Sequence, residues 1–277
     1  MYQQNGLSGF SNMPTVVKNL LIINALCFLA HYVMVQTGKM DINHILGLYY
    51  PESEKFKPYQ LLTHVFMHGD FWHLFFNMFS LWMFGSKLES YWGPKRFFIY
   101  YFVTAFGAAA LYLGINAIEI HKIKSAIEEF AQNPNYDSFY LLIQKDNLYA
   151  NASQIADFLT AWNLDKTNPL YVNDAKQIAQ MMLESKMSVP VVGASGAVFG
   201  LLLGFGLLFP NTELLIMFIP VPVKAKYVVL GLGLWELYSG LRNNPADNIA
   251  HFAHLGGMLF GYILIKYWNQ TNRRSMY

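Results

Sequence analysis

The stretch Gly193-Ala194-Ser195-Gly196-Ala197-Val198-Phe199-Gly200 opens an apolar run that extends from Val191 to about Leu208. That run is long enough to cross the hydrocarbon of a bilayer. The small neighbours of Ser195 allow another helix to approach its hydroxyl, and the free N–H groups of a helix N-terminus favour an anion beside it. Two interpretations are open: Ser195 is a nucleophile, or it is a packing residue in a helix whose glycines recur every four residues from Gly196.

The composition favours a membrane protein. Of the 277 residues, 54% are hydrophobic and only 13% are charged, whereas soluble domains carry about 25% charged residues. The net charge of +2 is too small and too scattered to indicate binding to nucleic acid. A single cysteine, Cys27, excludes an intrachain disulfide.

Apolar spans recur along the chain and predict an all-α protein with six membrane helices. They cover Val16 to Val35, Phe71 to Phe84, Phe97 to Ile118, Val191 to Leu208, Tyr227 to Leu241 and Ile249 to Trp268. The apolar segment Leu214 to Val223 contains two prolines and is too short to span, so we expect an interfacial connector there.

The basic residues predict that both termini are cytoplasmic. With the N-terminus inside, the inner side collects Lys18, Lys87, Lys95, Arg96, Lys224, Lys226, Lys266, Arg273 and Arg274. The short outer loops then hold only Lys39, Lys55, Lys57 and Arg242. In a bacterium this topology would place the protein in the plasma membrane.

A polar stretch separates the third and fourth spans and divides the chain into residues 1–118, 119–190 and 191–277. Apolar residues at helical spacing predict that the 119–190 insertion is helical and lies outside the membrane. Asn173-Asp174 is expected to cap a helix over Ala175 to Ser185. The insertion is either a solvated decoration or a lid that contacts a substrate or an adaptor.

Three of the predicted spans begin at the outer face with unusual polar residues. Asp70 is a plausible N-cap for the second span, which carries His73 and, four residues on, Asn77. Ser195 begins the fourth span, and His254 lies in the first turns of the sixth. Ionisable residues in membrane spans are energetically costly, so they indicate function by default.

Acyl transfer is the chemistry that fits these residues. Ser195 would be the nucleophile and His254 the general base, which later protonates the leaving amine. His73 and Asn77 would donate hydrogen bonds to the oxyanion together with the Ser195 backbone N–H. Phe199 would pack against the His254 imidazole.

The predicted site is a serine–histidine dyad without an orienting acid. Asp247 lies several residues away in a loop, and we place Glu236 in the inner half or the middle of the bundle. Gly257 and Gly261 would let the sixth span approach the glycines of the fourth.

Less specific roles remain open for the same histidines. His64 and His68 could fix the loop before the second span by hydrogen bonding, and His73 and Asn77 could join helices without doing chemistry. His64, His68 and His73 could also be metal ligands, although their spans offer no carboxylate to complete a hard-metal site.

Three motifs together resemble those of the rhomboid intramembrane serine proteases. They are His64-x3-His68-x4-His73-x3-Asn77, Gly193-x-Ser195-Gly196 and Ala253-His254-Leu255-Gly256-Gly257-x3-Gly261. Further residues that resemble the pattern of this family lie around the second and third spans: Gly85, Glu89, Gly93, Arg96 and Tyr101.

The resemblance implies a six-helix bundle with Ser195 and His254 as the dyad and His73 and Asn77 as oxyanion donors. It implies cleavage of single-pass transmembrane proteins near the outer membrane surface, without metal or other cofactor. Two features depart from the family: Tyr59-Gln60 stands where Trp-Arg is frequent, and the third outer loop is much longer than usual. The alternatives are a non-cleaving scaffold of the same fold that binds membrane clients, and a metal-dependent membrane enzyme.

Overall fold

The computed structural model describes residues 13–145, 152–215, 221–242 and 250–274, and it is mostly helical. The predicted start of the sixth span at Ile249 and the loop residue Asp247 lie outside these residues. Within them, one short antiparallel hairpin pairs β1 (Glu213–Leu215) with β2 (Pro222–Lys224). The expected interfacial connector therefore contains strands, which an all-α prediction did not include.

The helices follow the chain in two groups. The first group is α1 (Thr15–Gln36), α2 (Ile42–Leu46), α3 (Gln60–Thr63), α4 (Phe71–Ser80), α5 (Ser86–Trp92) and α6 (Pro94–Gln132). The second is α7 (Tyr136–Lys145), α8 (Ala152–Leu164), α9 (Pro169–Met187), α10 (Ser195–Leu208), α11 (Ala225–Arg242) and α12 (His251–Arg274). A 3₁₀ turn at His64–Phe66 follows α3, and a π-helical segment at Leu81–Gly85 joins α4 to α5.

Helix α6 is longer than the third span predicted from the sequence. Its 39 residues correspond to about 58 Å at 1.5 Å per residue, well beyond the roughly 30 Å of bilayer hydrocarbon. Pro94 occupies the first turn, where its missing N–H costs nothing. No break occurs at Ile118, so the predicted third span and the first part of the insertion form one helix.

Two helix starts differ from those expected. Helix α10 begins at Ser195 because Val191 pairs with Leu48 in an isolated antiparallel bridge, which keeps the preceding segment extended. Helix α9 begins at Pro169 rather than after Asp174, since the Asn168 side chain accepts the N–H of Leu170 and caps the helix earlier. The Asp70 cap of α4 is confirmed, with its carboxylate accepting the His73 N–H at 2.9 Å.

The centre of the bundle is formed by α6, α10 and α12, which make its most extensive contacts. Gly257 of α12 lies directly on the Gly196 carbonyl of α10, where no side chain would fit. The Tyr100 hydroxyl of α6 donates to the Gly200 carbonyl at 2.8 Å. These contacts hold α10 between its two neighbours.

The segment between α1 and α4 is anchored by Gln60, which is 1% exposed. Its amide nitrogen donates to the Ile45 and Lys55 carbonyls, both at 3.0 Å, and its oxygen accepts the Lys57 N–H at 3.0 Å. A buried amide so satisfied fixes the turns around it. Gln60 therefore anchors this segment, at the position where the family that the sequence resembles often has arginine.

A buried carboxylate ties α1 to α5. Glu89 is 4% exposed, and its two oxygens accept the N–H groups of Val16 at 3.0 Å and Val17 at 2.8 Å. These amides belong to the first turn of α1, where backbone N–H groups have no partner within the helix. Glu89 thus caps α1 from another helix.

Two described helices, α1 and α6, are long and apolar enough to cross a membrane by length and composition, and α10 is a shorter apolar helix. Large apolar side chains remain exposed on α1 and α4. They include Leu26, Leu29, Phe71, Trp72, Phe76 and Phe79. Contiguous exposed apolar faces of this kind indicate contact with another apolar phase.

The insertion has a hydrophobic core of its own. Phe130 at the end of α6 packs with Phe139 of α7, Trp162 of α8 and Ala175 of α9, all at most 1% exposed. Helix α9 then returns along α6, where Leu183 meets Ile120 and Ile123. The segment between the third and fourth predicted spans is accordingly a packed helical unit built on α6.

Candidate active site

Ser195 and His254 meet near the N-terminal ends of two different helices. Ser195 is the first residue of α10, and His254 lies in the first turn of α12. The Ser195 Oγ and the His254 Nε2 are 2.8 Å apart, a hydrogen-bond distance. Both residues come together because the glycine contact between α10 and α12 brings the two backbones unusually close. A hydroxyl bonded to an imidazole is the geometry required for base-assisted nucleophilic attack.

Phe199 restricts the orientation of the histidine ring. It lies one turn after Ser195 on α10, and its ring stacks on the His254 imidazole, as the sequence had predicted. The Phe199 ring covers one face of the imidazole. The imidazole therefore cannot turn its Nε2 away from Ser195 without displacing this packed ring.

An acid lies beside His254, so the expectation that no acidic residue is placed to orient this histidine is wrong. Glu236 of α11 is 6% exposed, and its Oε2 is 2.6 Å from His251 Nδ1 and 2.9 Å from His254 Nδ1. The contact to His251 is a hydrogen bond. The contact to His254 is close without being aligned as one.

The sequence held one signal for this acid. A carboxylate within an apolar membrane span is rare and requires a partner. Glu236 interrupts the fifth predicted span, and two histidines begin the next helix. The sequence does not show how the fifth span is rotated about its own axis. A single acid in a span does not reveal whether it lies on the side that faces α12.

The predicted oxyanion donors lie on α4, on the same side of the bundle. The His73 ring approaches Gly193, where a Cβ would come within 2.8 Å of it, and Gly193 has φ +118°, a conformation that favours glycine. Asn77 is 5% exposed, and its amide nitrogen donates to the His73 carbonyl at 3.0 Å. An amide nitrogen carries two hydrogens, so one bond leaves a donor for other use.

His64 and His68 lie in the segment before α4. The His64 Nδ1 contacts the Gln60 carbonyl at 2.8 Å, and its own carbonyl accepts the Gly193 N–H at 2.9 Å. His64 thus links this segment to the residues before Ser195, in line with an anchoring role. The His68 ring makes no hydrogen bond among the described residues and stands edge-on to His73, with centroids 5.1 Å apart.

The proposed metal set of His64, His68 and His73 does not form a cluster of ligand atoms. Among the described residues, the group whose possible ligand atoms all lie within 4.8 Å of one another is Glu236, His251 and His254. Its shortest distance, 2.6 Å, is that of a charge-assisted hydrogen bond and is shorter than ligands of one tetrahedral ion would allow. Burial lowers the pKa of His68 to about 3, so this ring is neutral at physiological pH.

A small cavity of about 20 Å³ lies directly behind the serine. Its lining includes His64, Gly193, Ser195 and Ala108. This volume can accommodate about one water molecule. The remaining predicted supporting residues, Gly196 and Gly261, lie at the contacts of α10 and α12 with α6, beside Ala108 and Tyr100.

Comparison with known proteins identifies the family of the chain. The Rhomboid domain family matches residues 55–120 and 171–270, which is more than half of the chain. The matched segments contain Ser195, His254, His73, Asn77 and Glu236. Residues 121–170, between the two segments, contain the end of α6 together with α7 and α8.

Two curated proteins are similar over most of the chain. Rhomboid protein 1, mitochondrial, of Saccharomyces cerevisiae is 23% identical over 218 residues, 78% of this chain and 44% of that protein. Rhomboid-like protein 16, chloroplastic, of Arabidopsis thaliana is 23% identical over 265 residues, 95% of this chain and 65% of that protein. The chain therefore spans less than two thirds of the length of either relative. The match of this family to more than half of the chain establishes that the chain belongs to the rhomboid family, whose members are integral to membranes.

Proposed function

We propose that the protein is an intramembrane serine endopeptidase that cleaves single-pass transmembrane proteins near the outer face of the membrane. The observation that supports this most directly is the 2.8 Å contact between Ser195 Oγ and His254 Nε2. Membership of the rhomboid family is the second support. Burying polar groups within membrane helices is energetically costly, so the contact between this hydroxyl and this imidazole indicates a function.

The first chemical step is attack on the scissile carbonyl. The Ser195 oxygen forms a bond to the carbonyl carbon, its proton passes to His254 Nε2, and the carbonyl π electrons move to the oxygen. The tetrahedral oxyanion then faces the N-terminus of α10, where backbone N–H groups are free. His73 and the second amide hydrogen of Asn77 supply further donors from α4.

Collapse of this intermediate releases the first product. The carbon–nitrogen bond breaks, and His254 gives its proton to the leaving amine. The acyl group stays on Ser195 until a water molecule, deprotonated by His254, hydrolyses the ester. The cavity behind Ser195 offers room for such a water.

The proposed topology has six spans with both termini on the cytoplasmic side. The spans correspond to α1, α4 with α5, α6, α10, α11 and α12. The starts of α4, α10 and α12 then lie toward the outer leaflet, which places Ser195 just below the headgroups. The excess of lysine and arginine on the opposite side supports this orientation. A bacterial cell would carry the protein in its plasma membrane.

The substrate would be a helix that unwinds locally at the cleavage site. A carbonyl in a regular membrane helix is hydrogen-bonded within the helix and is hidden from a nucleophile. Segments with small or helix-breaking residues should therefore be cut before stiff leucine-rich ones. The 119–190 insertion is a further surface for contact with a substrate or an adaptor.

The proposal is tested with detergent-purified protein and a transmembrane substrate. Wild-type protein and the control Ser125→Ala, an exposed serine of α6, should cleave it, whereas Ser195→Ala and His254→Ala should not. A serine-directed fluorophosphonate should label the wild type and the control, and it should fail to label Ser195→Ala.

Other outcomes identify the alternatives. Substrate that is retained on the protein but never cut, together with absent labelling, would identify a non-cleaving scaffold. Cleavage that survives Ser195→Ala and stops with a chelator would identify a metal-dependent enzyme.

A further inference from the structure

We infer that Glu236 is a positioning residue for His254, so that the protein works with a carboxylate–histidine–serine relay rather than a dyad. This inference rests on the proposed protease function. Three distances carry it: 2.8 Å from Ser195 Oγ to His254 Nε2, 2.9 Å from His254 Nδ1 to Glu236 Oε2, and 2.6 Å from that oxygen to His251 Nδ1.

The Glu236 carboxylate lies on a narrow buried face of helix α11. Its buried residues are Ala225, Val229, Glu236 and Gly240, while Trp235 and Tyr238 on either side of the acid are more than half exposed. Gly240 lies one turn after Glu236, and a Cβ there would come within 3.3 Å of His251 and Phe252. The absence of a side chain at this position lets the start of α12 approach the acid.

The carboxylate favours one tautomer of His254. Its oxygen lies 2.9 Å from Nδ1, and a negative charge that can only accept hydrogen bonds favours hydrogen on that nitrogen even where the contact is not aligned. Nε2 is then unprotonated and can accept the proton of Ser195. The carboxylate also stabilises the transition state, because the imidazolium that forms on His254 lies beside its negative charge.

His251 has a separate part in this arrangement. It donates the aligned bond to Glu236, which compensates a carboxylate that is buried within the bundle. The titratable neighbours are then His251 and His254 on α12, and His73 of α4, which lies close enough to His254 to interact with it electrostatically. On α10, His254 contacts Ser195 and Phe199, and neither side chain adds a charge.

A purely structural role is the competing explanation. The Glu236–His251 bond joins α11 to α12, and its loss would loosen that contact without any direct effect on proton transfer. The two explanations differ in the pH dependence of catalysis and in the effect of His251 substitutions, which a structural role would make equal to those of Glu236.

The experiment compares Glu236→Gln, Glu236→Asp and His251→Gln with wild type, using Glu213→Gln as the control because Glu213 is exposed on β1. Glu236→Gln should lower kcat by about 10- to 100-fold with little change in KM. The acidic limb of its kcat/KM profile should move to lower pH, since the charge that favours the protonated imidazole is gone. Glu236→Asp should recover part of the rate, and His251→Gln should lose less than Glu236→Gln. The control should match wild type.

Each result decides one way. If Glu236→Gln cleaves at the wild-type rate, or loses rate with an unshifted pH profile, Glu236 does not position His254, while the protease function stands. If wild-type protein neither cleaves nor labels, the protease function fails and the relay with it. Nitrogen-15 NMR of His254 in the wild type needs no variant: protonation on Nε2 at neutral pH overturns the relay.

Discussion

The aromatic ring of Phe199 lies flat on the imidazole of His254, with ring centroids 4.1 Å apart and ring planes inclined by 9°. Both residues sit within one turn of a helix start, so the ring pair is shared by α10 and α12. Contacts of this type contribute about 0.5–1.5 kcal/mol beyond the area they bury. The energy is small, but it acts on the orientation of His254, the group that receives the serine proton in the proposed mechanism.

Phe199→Ala should lower kcat by about 2- to 10-fold, because the imidazole loses the surface that holds its plane. The matched control is Phe209→Ala, at the other end of the same helix, where the ring packs on Phe205 at a centroid distance of 5.3 Å. That change should reduce thermal stability and leave the rate of fluorophosphonate labelling unaltered. Equal labelling rates for Phe199→Ala and wild type would contradict the prediction.

Gly257→Ala should destabilise the bundle by at least about 1–3 kcal/mol, the usual cost of overpacking. Its Cβ would collide with the Gly196 carbonyl, which is backbone and cannot turn away. Gly114→Ala is the control, since nothing lies within 4 Å of a Cβ there, and alanine is favoured over glycine in a helix. Thermal unfolding in detergent should therefore fall for Gly257→Ala and stay or rise for Gly114→Ala. A tolerated Gly257→Ala would mean that α10 and α12 are less closely packed.

Glu89→Gln should lower the free energy of unfolding by about 1.5–3 kcal/mol, the range for hydrogen bonds to a charged group. One oxygen would remain to accept, but the amide nitrogen would face a backbone N–H of Val16 or Val17. We expect the start of α1 to become sensitive to protease, as followed by limited proteolysis and mass spectrometry. Glu54→Gln, at an exposed position, should behave as wild type. Unchanged protection in Glu89→Gln would show that α1 is held by its apolar contacts alone.

Trp162→Ala should destabilise the insertion by about 3–5 kcal/mol, since a fully buried ring leaves a cavity. Labelling of Ser195 should persist, because the Trp162 cluster is separate from the core that surrounds the dyad. The exposed Leu164, 85% accessible on the same helix, supplies Leu164→Ala as a control with no expected effect. Loss of labelling in Trp162→Ala alone would show that the site depends on the folded insertion.

The site could be predicted from the sequence as far as spacing carries information. Ser195 and His254 were identifiable because each begins an apolar run, and the alternation of spans puts both starts on one side. Glycines such as Gly257 indicated a close approach of the same two helices. The rotation of each helix about its axis is set by packing along its length, which the span pattern leaves open. For this reason the proximity of Glu236 to His254 was not predicted.

The fold differed from expectation mainly at boundaries. The end of the third span was set at Ile118, where polarity changes, yet the backbone responds to helix breakers rather than to polarity. No glycine or proline occurs between Gly114 and Pro134, and the apolar spacing from Ile120 to Phe130 continues the same helix face. The strands of the hairpin were not predicted because a pair of three-residue strands leaves too short a pattern to be distinguished from a loop.

The uninterrupted course of α6 gives the molecule a mechanical property. One end of this helix packs against the aromatic cluster around Trp162, and farther along it Ala108 contacts Gly196, next to Ser195. The helix continues through Gly114, which lies between these two contacts, without a break. A displacement of the helices packed on the far end of α6 is therefore expected to reach the contact of Ala108 with Gly196 beside Ser195.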